Sequence, residues 1–104
     1  MNELEMSVSA GEAGPVVVLS GQADLSSSAQ LGEVLASQIS GDVTHLTIDA
    51  SGLRFMDSTA VRLVGLTAKV LRERGGTLTI AHPLPAVSRA LTMTGVAELV
   101  DMRA

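Results

Sequence analysis

The chain contains no cysteine, tryptophan or tyrosine and only one phenylalanine among its 104 residues. Without cysteine there can be no disulfide, thiolate nucleophile or sulfur-ligated metal. With Phe55 as the single aromatic ring, it lacks the stacking platforms on which single-stranded nucleic acids are held. Basic residues are scarce too: seven Lys and Arg against eleven Asp and Glu give a formal net charge of −4. That balance repels phosphate backbones and anionic lipid surfaces, so neither nucleic acid nor membrane is expected as a direct partner. Long hydrophobic runs are also missing. The longest, Val16–Leu19, is far too short to cross a bilayer, and no basic segment followed by an apolar stretch opens the chain. A soluble, cytoplasmic protein is expected.

What is present is enough apolar material for a core: 46% of residues are hydrophobic and 17% charged, which argues for one compact domain over residues 1–104. Met6–Ala10 and Pro15–Ser20 flank Gly11-Glu12-Ala13-Gly14 and read as a hairpin, with VVVL suited to a strand buried on both faces. Gly21-Gln22-Ala23-Asp24 reads as a turn whose Asp24 caps a helix carrying Leu31, Val34, Leu35 and Ile39 on one stripe. His45–Ala50 is a second buried strand, ended by a turn at Ser51-Gly52. From Ser58 to Arg74, Ala60, Leu63, Val64, Ala68 and Leu71 recur at helical spacing, and Gly75-Gly76 closes the helix. Thr77–Ala81 is a third strand, Pro85 opens a last helix ended by Gly95, and Ala97–Met102 is a short strand or helix. The order ββαβαβα with a tail implies an α/β fold with parallel crossovers.

The polar triplet Asp57-Ser58-Thr59 interrupts an otherwise apolar stretch, RFMDSTAVRLVGL. Asp and Ser are ordinary capping residues, and a helix start that uses them needs no further role. The same position also suits a phosphoryl group on Ser58, because free amides and the positive end of the helix dipole face it. On a helical wheel Ser58, Arg62, Gly65, Leu66 and Lys69 share the face opposite the core stripe. Gly65 is unfavourable inside a helix by about 1 kcal/mol and so suggests close approach by something. Beside it, Leu66 and an exposed hydroxyl outline a docking surface. Thr59 is the second choice of acceptor, since it points about 100° away from Ser58.

Enzymatic chemistry finds no support. Ser58 lacks the small flanking residues of a nucleophile elbow, and His45 and His82 stand alone. Asp42, Asp49, Asp57 and Asp101 are scattered without acid/base or metal-ligand spacing, and Gly75-Gly76 follows a helix instead of opening one. Neither cofactor nor metal is expected.

Several stretches, taken in order, resemble the STAS domain, and more narrowly the bacterial anti-sigma-factor antagonists. They are Gly21–Asp24, Asp49-Ala50-Ser51-Gly52-Leu53, Phe55-Met56-Asp57-Ser58-Thr59-Ala60, Gly75-Gly76-Thr77-Leu78, Pro85-Ala86-Val87-Ser88-Arg89 and Thr94-Gly95. The resemblance implies a four-to-five-stranded mixed sheet with helices mainly on one face, whereas a VVVL strand buried on both faces implies helices on both. It implies a non-enzymatic protein that binds an anti-sigma factor, often a serine-protein kinase, and so frees a sigma factor. Phosphorylation at the serine after the Asp, here Ser58, would abolish binding, and a PP2C-type phosphatase would reverse it. Candidate partner-binding residues are then Asp24, Asp57, Ser58, Thr59, Arg62, Gly65, Leu66 and Lys69, on a monomer or weak dimer. Two residues depart from the family pattern: Ala60 stands where Gly is usual, and Arg62 where relatives tend to be small or apolar. Two further STAS roles compete: a transporter or sensor subunit in which Ser58 only caps a helix, and a small-molecule sensor. No basic or glycine-rich pocket lining supports the latter.

Overall fold

The computed structural model describes residues 3–104; the first two residues of the expected 1–104 domain lie outside the described residues. Strands β1 (Glu5–Ala10) and β2 (Pro15–Ala23) are followed by α1 (Ser28–Gln38), β3 (His45–Met56), α2 (Ser58–Glu73), β4 (Thr77–Ala81), α3 (Pro85–Met93) and β5 (Asp101–Arg103). Short 3₁₀ turns at Leu25–Ser27 and Val96–Glu98 lead toward α1 and β5. The C-terminal tail is therefore helical turn and strand in succession.

The five strands lie side by side in chain order, β1-β2-β3-β4-β5, with β1 antiparallel to β2 and the rest parallel. This order explains where the helices go. Parallel crossovers are right-handed, and when each successive strand is added on the same side, every connection passes over the same face. Thus α1, α2 and α3 cover one face only. Val17 and Leu19 in β2, Leu46, Ile48 and Ala50 in β3, and Leu78 and Ile80 in β4 point into that face. They meet Leu31 and Leu35 of α1, Val64, Ala68 and Leu71 of α2, and Val87 and Leu91 of α3 in a single core. The other face carries Val16, Val18, Thr47, Thr77 and Thr79, all half-buried. The VVVL strand is consequently buried on one face and not two.

Two expected turns are strand instead. β2 continues through Gly21-Gln22-Ala23, and β3 runs on through Ser51-Gly52 to Met56. The reason is mutual pairing: Gly21, Gln22 and Ala23 lie opposite Leu53, Phe55 and Met56, and shifts of register near Ser20 and Gln22 absorb the mismatch as irregularities. The Asp49 carboxylate accepts the Ser51 amide (3.0 Å), supplying a local partner where the ladder is irregular. Glycine and small polar residues mark bulges here as readily as turns.

α2 ends as its sequence requires. Gly75 adopts φ +78°, its amide donates to Arg72 (2.9 Å) and that of Gly76 to Leu71 (2.8 Å), a complete Schellman closure. Gly76 then passes so close to the preceding loop that a Cβ would collide with the Thr44 carbonyl oxygen, which accepts the Thr77 amide (2.9 Å). Gly76→Ala is therefore expected to cost about 3 kcal/mol or more, lowering the unfolding midpoint by roughly 12 °C or more. Thermal denaturation checks this; a shift within about 4 °C would contradict the packing.

Candidate functional site at the start of the second helix

β3 has twelve residues and β4 only five, and their pairing ends at Asp49↔Ala81. Beyond that point Ala50–Met56 pairs with β2 alone. The β2–β3 ribbon thus projects past the rest of the sheet and carries the start of α2 with it. Because Ala23 lies opposite Met56, the next residues of the two parallel strands, Asp24 and Asp57, emerge side by side at one edge. The Asp57 amide donates to the Ala23 carbonyl at 2.9 Å, tying the edges together.

Each aspartate then caps the helical segment that follows it. Asp24 accepts from the Ser26 amide (3.0 Å) and hydroxyl (2.6 Å), while its own amide donates to the Ser27 hydroxyl (3.1 Å). The Ser26 hydroxyl, helped by the Ser26 and Ser27 amides, holds the Asp24 carboxyl below its usual range. Asp57 is the N-cap of α2, and its Oδ1 accepts the Ala60 amide at 3.0 Å. Ala60 is fully buried and supplies that amide, so the departure from glycine leaves the helix start intact.

The cap is therefore Asp57 and not Ser58. Ser58 is the first residue of α2, exposed, and its hydroxyl has no hydrogen-bond partner among the described residues. Thr59 is half-buried beside it. Arg62, Leu66 and Lys69 are exposed along the same helix, as expected from their spacing. Gly65 is not. It is buried, and the group that approaches it is Val96 of the same chain, whose Cγ2 would lie 3.2 Å from a Cβ at that position. The wheel placed Gly65 on the outer face with Ser58, Arg62, Leu66 and Lys69; it is buried instead because Val96, in the Val96–Glu98 turn, packs against it.

Sequence reasoning missed two members of the edge. Leu25, next to Asp24, is 73% exposed, and Phe55, two residues before Asp57, is 45% exposed. Large apolar side chains uncovered beside two carboxylates and a hydroxyl make this edge unlike ordinary surface. The available signal was the position of each beside a capping aspartate.

His45 opens β3 and Ser58 follows its end, which separates them by roughly 35 Å of extended chain, so the two cannot form a hydrolytic pair. Among the described residues no group of three or more His, Asp or Glu is placed to hold a metal. No helix among them is long and apolar enough to cross a membrane.

A five-stranded mixed sheet with three helices in this order is the STAS fold, and the family model described as "Mlab, STAS domain" matches residues 6–101. The chain belongs to the STAS-domain family. No curated protein sequence matches it. Solved structures do. An anti-sigma factor antagonist from Mycobacterium paratuberculosis superposes with a TM-score of 0.87 at 20% identity, over 98% of this chain and 86% of that one. An anti-sigma-factor antagonist STAS domain protein from Planctomyces limnophilus gives 0.83 at 16% identity, over 95% and 89%. The Bacillus cell fate determinant SpoIIAA in its phosphorylated form gives 0.74 at 23% identity, over 98% and 91%.

The division of labour at the helix start is testable by stability alone. Asp57→Ala removes the cap and is expected to cost about 0.5–2 kcal/mol. Ser58→Ala removes an unbonded hydroxyl and should stay within about 0.5 kcal/mol of the unsubstituted chain. Urea titration of both variants measures this; a larger loss from Ser58→Ala than from Asp57→Ala would assign the cap to the serine.

Proposed function

We propose that the protein is an anti-sigma-factor antagonist: unphosphorylated, it binds an anti-sigma factor that is also a serine kinase, and phosphorylation of Ser58 releases that partner. The observation that carries this reading is the free, exposed Ser58 hydroxyl beside a carboxylate that already caps the helix. A group with no structural duty can be esterified without disturbing the fold. The shared fold of the antagonists, SpoIIAA in both phosphorylation states among them, supports the same reading.

Its chemistry is electrostatic. A phosphoryl group on Ser58 adds a charge of about −1.5 to −2. It would face the unpaired Ser58 and Thr59 amides at the helix start, which tolerate an anion, and the side chains of Asp24 and Asp57, which repel one. The domain would therefore hold its shape while the edge formed by Leu25, Phe55, Asp24 and Asp57 became strongly negative. A partner shaped to the neutral hydroxyl would lose contact there through desolvation and like-charge repulsion, which can cost several kcal/mol.

On this reading the protein catalyses nothing. The kinase is the partner itself, a PP2C-type phosphatase restores the hydroxyl, and the proteins meet in the cytoplasm. Thr59, half-buried, is the second-choice acceptor. In the competing role, as a transporter or sensor subunit, Ser58 would carry no phosphate; the cap at this helix start is made by Asp57.

Titration calorimetry with the cognate kinase tests the proposal. Ser58→Ala should bind within a few-fold of the unsubstituted chain. Ser58→Asp should bind a hundredfold or more weaker while its unfolding midpoint moves by no more than about 3 °C. Equal binding by Ser58→Asp would sink the switch.

A further inference from the structure

α2 carries three of the chain's seven basic residues, Arg62, Lys69 and Arg72, against one acidic residue, Glu73, although the whole chain is at −4. Two of the cations at its far end are committed. Arg72 donates to the Glu98 carbonyl (3.3 Å), and Arg74, just past the helix, to the carbonyls of Ile39 (2.6 Å) and Val43 (2.8 Å). Arg62 and Lys69 meet no acceptor among the described residues. Both border a groove between α2 and the Thr94–Leu99 segment, holding about 520 Å³ of water-accessible space. The close approach of Val96 to Gly65 draws its two sides together, and Leu66, 48% exposed, stands between the two cations in sequence.

We propose that this groove receives an acidic, apolar-tipped helical segment of the protein partner, with Arg62 and Lys69 taking its carboxylates and Leu66, Val96 and Leu99 its apolar side chains. The inference rests on the reading that the chain is a partner-binding protein, and it names the chemistry of the segment that is bound. Charge complementarity selects the occupant. The groove lining holds two free cations against one carboxylate, Glu98, so a basic segment is disfavoured. Arg62 and Lys69 are seven residues apart, two helical turns or roughly 10.5 Å. Carboxylates at positions i and i+7 of a facing helix match that span. A second copy of this chain cannot supply them, because α1 offers only Glu33, α2 only Glu73 and α3 no acidic residue.

The groove is also joined to the phosphorylatable edge. Arg62 lies one turn after Ser58 on the same face, within reach of a phosphoryl group there. A phosphate on Ser58 therefore competes with the bound segment for Arg62, so that modification at the helix start weakens the groove as well. This role is specific to a chain with Arg at that position.

The test uses the full chain, labelled with ¹⁵N, and two synthetic helical peptides of about fourteen residues. Both carry leucine on one stripe; one has Glu at i and i+7, the other Lys. The acidic peptide should shift the amides of Arg62–Lys69 and Thr94–Leu99 and bind at least tenfold tighter than the lysine peptide at low salt. In the double variant Arg62→Gln, Lys69→Gln, whose two positions are exposed, that preference should vanish, and Ser58→Asp should weaken the acidic peptide several-fold. Equal or tighter binding of the lysine peptide, saturation at another surface, or no saturation at millimolar peptide overturns the assignment. Concentration-dependent shifts of the same amides without peptide would make the occupant a second copy and overturn it too. If the acidic peptide binds as stated while the cognate kinase does not distinguish Ser58→Asp, the groove stands and the switch falls. The reverse pattern leaves the switch and removes the groove.

Discussion

Asp57 makes two hydrogen bonds on which the rest of the site depends. Its amide donates to the Ala23 carbonyl at 2.9 Å, fixing the end of β3 against the end of β2, and its carboxylate accepts the Ala60 amide at 3.0 Å, starting α2. The first bond sets Asp24 and Asp57 next to each other. The second relieves Ser58 of any capping duty.

Topology sets the stage for that arrangement. Strands added in order on one side put all three helices on one face, so α2 is covered on its inner side and bare on its outer side. The length of β3 relative to β4 lifts the head of α2 beyond the main sheet. Exposure of Ser58, Arg62, Leu66 and Lys69 thus follows from strand order and strand length together, while Ala60, Val64, Ala68 and Leu71 anchor the same helix in the core. One rigid element joins the core to the surface.

Much of this was legible in the residues. The helical stripe of α2, the closing pair Gly75-Gly76, Pro85 at the first turn of α3 and the Thr77–Ala81 strand all rest on local rules of spacing, capping and turn chemistry, and they stand where those rules put them. What escaped was non-local. Gly21 and Gly52 carry turn chemistry, yet each lies within a strand because the partner strand pairs with it, and no local rule reports a partner. VVVL can fill a strand buried on two faces or on one; the choice depends on which side the crossovers take. Gly65 was rightly suspected of a close approach, but the approaching group is Val96, thirty-one positions later, and periodicity cannot name it. Leu25 and Phe55 belong to the edge only because β2 and β3 end in register.

The central claim is that a hydroxyl with no structural task, held out at the head of α2, is where this protein is switched. The most direct measurement is phosphate mapping by mass spectrometry, on the purified chain incubated with its kinase and ATP and on the chain recovered from its own cells. The account predicts a single phosphate on Ser58, removed by a PP2C-type phosphatase. A phosphate found only elsewhere, or none in either preparation, would contradict it.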